Sequence, residues 1–168
     1  MKVFQTDDIR NIALIGAAKS GKTTLAENMI FEGKLINRKG DTTSKNTVSD
    51  YRPIEMERGI SVNASLCYTI FNDKKINILD TPGFSDFSGD IVACLTAADT
   101  AVFTVNSQSG VEATTENAWK HAAITNKPVV FFMNQLDHNN ANFDDTVHQL
   151  KDYFGDKVTP IQFPVNTG

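Results

Sequence analysis

Apolar residues along this chain fall into short runs, and the spacing around them switches between two periods. Ile9 to Ile15, Thr100 to Val105, Pro128 to Met133 and Val158 to Phe163 read as strands, the middle two as buried ones. Between them the apolar positions recur at helical spacing. Gly21 to about Glu32 is expected to bury Leu25, Met29 and Ile30, with Gly33 as its C-terminal cap. Phe87 to Ala98 is expected to form a second helix. A third, Glu112 to Asn126, faces inward through Thr115, Ala118, Trp119 and Ala122, and a fourth runs from Asn142 to Phe154. The stretch "SVNASLCYTIF" alternates in period two, which puts Val62, Ala64, Leu66, Tyr68 and Ile70 on one face. A short "NDK" turn then leads into "KINILD", the pattern of an antiparallel hairpin.

Strands alternating with helices predict an α/β domain with a mainly parallel sheet, one antiparallel hairpin and flanking helices. No repeat interrupts it, so residues 1–168 read as one domain. The chain stops directly after the last expected strand, so a closing helix is expected to be missing. Residues Asn37 to Gly59 are polar and aperiodic, and a loop that long in a small domain is either functional or disordered.

Composition narrows the picture only a little. Of 168 residues, 40% are hydrophobic and 21% charged, as in ordinary soluble domains. No apolar run reaches the ~20 residues that span a bilayer, and the N-terminus lacks a secretory signal, which points to a cytoplasmic protein without a membrane partner. A net charge of −4 argues against a domain that grips DNA or other nucleic acid unaided. Cys67 and Cys94 lack metal-ligand or redox spacing and read as reduced core thiols, and His121, His138 and His148 form no ligand pattern. Trp119 reads as core.

The candidate chemistry begins at "GAAKSGKT", which matches G-x-x-x-x-G-K-[ST] between an expected strand and helix. The backbone of Ala17, Ala18, Lys19, Ser20 and Gly21 can wrap a phosphate chain, with Thr24 just inside the helix that follows. Lys22 is placed to bridge β- and γ-phosphates, and the Thr23 hydroxyl to bind Mg²⁺. A bare Gly-rich turn is the plain alternative. Asp80 ends the hairpin's second strand and is followed by "TPG", so its carboxylate can hold the magnesium shell while the Gly83 N–H senses a γ-phosphate. "NQLD", Asn134 to Asp137, ends a later strand. A carboxylate at Asp137 can accept from guanine N1–H and its amine, donors that adenine lacks, and such sites discriminate by ~10⁴–10⁵. A helix-capping aspartate is the alternative there. Three motifs in this order favour GTP/GDP over adenine nucleotides.

With "GKTTLAENMIF", "DYRPIEMERGISV", "NILDTPGFSDF", "AADTAVFTVNSQSGVEATTENAWKHA" and "VVFFMNQLDH", nearly the whole chain resembles a translational GTPase, specifically the P-loop G domain of elongation factor G. The resemblance implies that about 37–61 is switch I and about 80–98 is switch II, with Ser61 taking a threonine's role toward Mg²⁺ and γ-phosphate. It implies a monomeric factor that binds the ribosome and its RNA and moves tRNA and mRNA, using domains beyond this one. It also implies a further base-contacting motif and helix after residue 168.

Four positions depart from the family pattern. Phe84 replaces the histidine that orients the attacking water, and a benzyl group has no donor or acceptor. Lys19 replaces an aspartate proposed to hold a monovalent cation; its ammonium either substitutes for that cation or points to solvent. Ala18 replaces a larger apolar residue that walls off the catalytic side chain. Gln135 replaces the lysine whose stem packs along the base, which is expected to weaken nucleotide binding. No residue is therefore assigned as catalyst, and hydrolysis is expected to be slow or lost. An ordinary ribosome-stimulated GTPase, a ribosomal protection or release factor, a P-loop kinase or ATPase, and a ribosome-binding module indifferent to nucleotide are the other readings.

Overall fold

The computed structural model describes residues 3–58, 60–84, 86 and 88–165. Gly59, the expected end of the long loop, and Phe87, the expected first residue of the second helix, lie outside the described residues. A 3₁₀ turn at Thr6–Asp8 leads into β1 (Ile9–Ile15). It is followed by α1 (Lys22–Glu32), α2 (Pro53–Arg58), β2 (Ser65–Phe71), β3 (Lys74–Asp80), α3 (Ser88–Ala97), β4 (Thr100–Asn106), α4 (Ala113–Ile124), β5 (Val129–Asn134) and α5 (Phe143–Phe154).

The five strands lie in the order β2-β3-β1-β4-β5. β1 runs parallel to β3 and β4, β4 runs parallel to β5, and only β2 and β3 pair antiparallel. The hairpin turn is made by Asn72 and Asp73 at φ 47° and 62°, the left-handed pair that a two-residue connection requires. The chain leaves β1 toward β3 and later returns to its other side for β4. The strand order therefore reverses at the carboxyl end of β1, where open α/β sheets bind their ligands.

Two apolar layers flank the sheet. On one side Ala13, Ile15, Ala101 and Phe103 pack against Ile91, Cys94 and Leu95 of α3 and Ala118 and Ala122 of α4. On the other, Leu14, Ile78 and Cys67 pack against Ala26 and Ile30 of α1. Cys67 and Cys94 are free and buried, one in each layer. Trp119 joins an aromatic cluster, with its ring 5.9 Å from Phe131 and 4.7 Å from Phe154, as expected of a core residue.

The structure corrects the sequence pattern in five places. β5, expected to be a buried strand, is an edge strand whose Val130 and Phe132 are exposed, because no strand or helix among the described residues covers that face. The inward residues of β2 are Cys67 and Thr69, while Leu66 and Tyr68 are exposed. β2 is an edge strand packed against α1, whereas α3 and α4 lie over β1 and β4, so its apolar-looking face stands beyond their cover. Thr69 belongs inside because its hydroxyl donates to the Met29 carbonyl at 2.6 Å. In α1, Ala26, Glu27 and Ile30 are buried, and Leu25 and Met29 only partly so. The long polar loop contains α2, which its polar composition hid. Finally, residues 158–163 form no strand: Pro160 has no N–H to give to a ladder, Ile161 and Phe163 are exposed, and Phe163 turns instead to the Phe143 ring at 6.0 Å.

Two truncations on the hairpin test which face is the core. Leu66→Ala is expected to change stability by under about 0.5 kcal/mol, and Ile78→Ala to cost roughly 2–5 kcal/mol. Urea unfolding curves give both numbers, and a larger cost at Leu66 would put the wrong face inward.

Candidate nucleotide site

The phosphate loop, residues 16–21, leaves β1 at the strand-order reversal and hands directly into α1. Its lysine is already folded into the loop: Lys22 Nζ donates to the carbonyls of Gly16 and Ala17, both at 2.9 Å. Burial lowers the Lys22 pKa to about 8, against the opposing pull of Asp80. Ser20 is held from below by the Thr104 hydroxyl at 2.7 Å. Lys19 sits at φ 63°, a left-handed conformation that costs a side-chain-bearing residue of order 1 kcal/mol or more.

Gln135 helps to hold that turn. Its amide Nε2 donates to the Lys19 carbonyl at 2.9 Å, and Gln135 itself is left-handed at φ 60°. Beside it, Asn134 Nδ2 donates to the Ser20 carbonyl at 2.9 Å. The segment expected to read the base is thus tied to the phosphate loop through two consecutive side chains. Glutamine at this position supplies a hydrogen-bond donor, a role that the sequence reading had not given it.

Thr23 opens α1 and donates to Asp80 Oδ2 at 2.8 Å, linking the helix to the end of β3. Ser61 approaches Thr23 to 3.4 Å and donates to Asp50 Oδ1 at 2.7 Å. Asp80 is 1% exposed, and burial pushes its pKa up to about 6 against the Thr23 hydrogen bond and the Lys22 charge. Its second oxygen, Oδ1, has no hydrogen-bond partner among the described residues. Burial raises Asp50 as well, offset by the Ser61 hydroxyl. Two hydroxyls and two carboxylates, one of them with a buried unpartnered oxygen among the described residues, form the hard-oxygen set that suits Mg²⁺.

Thr23, Asp50 and Ser61 line a cavity of about 240 Å³, together with Lys19, Lys22, Thr24, Gly83, Phe84 and Gln135, and Asp80 is joined to this lining through Thr23. Gly83 follows the Asp80–Pro82 turn and lies so close to the loop that a Cβ there would come within 2.6 Å of the Ala18 backbone and 2.7 Å of Lys22 Nζ. Phe84 stands at the rim, 39% exposed. Asp137 is exposed on the turn after β5 and is not part of this lining. The structure therefore gathers Lys19, Lys22, Thr23, Asp50, Ser61 and Gly83 around one cavity, while Asp137 stands apart from them.

Three carboxylates were missed in the sequence. Asp50 belongs to the cation cluster. Buried Glu55 accepts from the backbone N–H groups of Val62 and Asn63 at 3.0 and 3.2 Å, which shapes the approach to Ser61. Buried Glu27 accepts from two loop amides. Asp50 and Glu55 lie in an aperiodic loop, and Glu27 was hidden by its charge on a helix read for apolar residues.

A phosphate loop at the strand-order reversal, with a hydroxyl–carboxylate cluster opposite it, defines a nucleotide-binding P-loop domain. The family described as "Elongation factor Tu GTP binding domain" matches residues 7–165, and the chain belongs to it as the G domain of a translational GTPase. It is 34% identical over 160 residues to "Elongation factor G-like protein" of Mycobacterium tuberculosis, covering 95% of this chain and 22% of that protein. It is 37% identical over 155 residues to "Ribosome-releasing factor 2, mitochondrial" of Candida dubliniensis, covering 92% and 19%. To "Elongation factor G" of Mycoplasma genitalium it is 33% identical over 158 residues, covering 94% and 23%. A crystal structure of a Thermus thermophilus protein superposes with a TM-score of 0.84 at 32% identity, over 88% of this chain and 22% of that one. The chain thus spans about a fifth of the length of these relatives.

Asp80 offers a direct test of the electrostatics. Its folded value near 6 exceeds the ordinary 3.8, so the nucleotide-free fold favours the protonated acid. That stabilisation is present at low pH and is lost as pH rises through about 6, a difference of order 3 kcal/mol for a shift of about two units. Asp80→Asn is expected to raise the melting temperature of the nucleotide-free protein by a few degrees at pH 7.5 and by nothing near pH 4. Scanning calorimetry at both values checks it, and an equal shift at both would refute the assignment.

Proposed function

We propose that residues 1–168 form the GTP-binding switch domain of an elongation factor G-like protein acting on the ribosome in translocation, with hydrolysis slow or lost. Phe84 carries this reading: at the rim of the nucleotide cavity, after the Asp80–Gly83 turn, it presents a ring without donor or acceptor where the family pattern has histidine.

Phosphates lie against the 16–21 backbone and Lys22, which is buried yet retains a pKa of about 8 and so stays charged at neutral pH. Thr23 and Ser61 would hold Mg²⁺, with Asp80 and Asp50 supporting it, and the ion when bound would neutralise phosphate charge. Ser61, in switch I at about 37–61, and Gly83, in switch II at about 80–98, both respond to the γ-phosphate, so GTP and GDP favour different loop arrangements. Asn134 and Gln135 hold the base-reading turn against the phosphate loop, and Asp137 selects guanine. Lys19 places an extra cation at the cavity. These features support tight triphosphate binding, while nothing at Phe84 activates water. Ribosome and ribosomal RNA contacts, cytoplasmic location and a monomeric state follow the elongation factor G reading, and the names of the relatives support the first of these.

Single-turnover GTP hydrolysis by the intact protein with saturating ribosomes, beside Phe84→His, tests the proposal. Cleavage by the unmodified protein is expected to be ~10²–10⁴ below that of the histidine variant. Equal, fast cleavage by both would mean an ordinary ribosome-stimulated GTPase. No detectable GTP binding would remove the switch altogether.

A further inference from the structure

Glu27 lies on α1 one helical turn beyond Thr23, so both side chains project from the same face of the helix. It is 2% exposed, a rare place for a carboxylate. Neither oxygen is spent on its own helix. Oε1 accepts from the Gly40 N–H at 2.8 Å and Oε2 from the Val48 N–H at 3.0 Å, so one side chain fastens both ends of the 40–48 loop.

The loop is shaped to reach it. A Cβ at Gly40 would come within 2.6 Å of Glu27 Oε1 and 2.5 Å of the Asn46 carbonyl, so only glycine brings its amide to the carboxylate. Two residues after Val48 the chain reaches Asp50, which accepts from Ser61, and Ser61 in turn approaches Thr23. The loop thus meets one face of α1 at two levels, through Glu27 and through the Thr23 cluster.

We propose that Glu27 is a positioning residue for nucleotide sensing: its carboxylate latches the 40–48 loop onto α1 and so holds Asp50 and Ser61 beside Thr23. The proposal rests on the reading of the site as a GTP–Mg²⁺ switch and adds the element that decides how readily the switch closes. When the loop lifts away, water satisfies both the carboxylate and the two amides, so the latch is reversible. When the loop is down, the bonds are charge-assisted and shielded from solvent. A ligand that needs Ser61 in place benefits from the latch, and a ligand that does not is indifferent to it.

Glu27→Gln preserves shape but leaves only one acceptor, with an amide donor facing a backbone donor. In the intact protein with Mg²⁺, affinity for the non-hydrolysable β,γ-imido analogue of GTP is expected to fall about tenfold, while GDP affinity stays within about twofold. Hydrogen exchange at Gly40 and Val48 in the analogue-bound state is expected to accelerate. Gly40→Ala, which drives a methyl group into the same oxygen and leaves Glu27 intact, is expected to reproduce the pattern. Unchanged analogue affinity and exchange would overturn the latch and leave the GTP switch standing. Equal losses for both nucleotides, or failure of both variants to fold, would make Glu27 a structural residue and overturn it too. Binding of neither nucleotide by the unmodified protein would remove the switch reading and the latch together.

Discussion

Asp80 sits at the end of β3, virtually without solvent, and accepts a hydrogen bond from the first turn of α1. Burying a carboxylate is unfavourable unless charge or hydrogen bonds compensate, and among the described residues the compensation is incomplete: one oxygen has Thr23 and the other has no hydrogen-bond partner. The geometry around it follows from that constraint. Lys22 must stay charged despite its own burial, the hairpin must deliver Asp80 to the strand-order reversal, and the following turn must press Gly83 against the phosphate loop. The site is built around a deficit of positive charge next to the Asp80 carboxylate, and a divalent cation is the kind of group that would relieve it.

The long loop meets the same cluster by a different route. Instead of apolar packing it uses carboxylates that accept from backbone amides: Glu27 at Gly40 and Val48, Glu55 at Val62 and Asn63, and Asp90 of α3 at Ala64 at 2.8 Å. Such bonds are strong while shielded and easily exchanged for water, unlike interdigitated side chains, which resist small displacements. A segment that must be held in one state and released in another is well served by them. Asp90 belongs to the helix that follows Phe84, so its carboxylate ties that helix to the residue just before β2.

Much of the architecture was legible in the chain because parallel strands buried on both faces have a simple signature. Ile9–Ile15 and Thr100–Asn106 announce themselves by apolar content, and the phosphate-loop pattern locates the end of β1. Period-two alternation failed at β2 because it shows that two faces differ, not which one a helix will cover. Leu66 and Tyr68 looked like core, but Thr69 was drawn inward by the open carbonyl of Met29. The strand expected near Val158 failed on Pro160, a local chemical fact that outweighs apolar content. In the site, groups fixed by short motifs were readable. Asp50, Glu55 and Glu27 were not, since their partners, the Ser61 hydroxyl for Asp50 and backbone amides for the two glutamates, are brought near only by tertiary folding. The Gln135 contact was not readable either, since the Lys19 carbonyl that accepts from its amide is 116 residues away in the chain and only the fold brings it near.

The two cysteines lie on opposite sides of the sheet, in the layers beneath α1 and α3, so the sheet itself keeps them from meeting. Burial pushes the thiol of Cys67 up to about 12 and that of Cys94 up to about 11, so neither forms a reactive thiolate at neutral pH while its layer is closed. An oxidant can neither join them nor attack them readily in the native fold. Each is instead a built-in chemical clock for its own side of the molecule, and the rate at which an alkylating reagent finds Cys67 or Cys94 measures how often that side breathes.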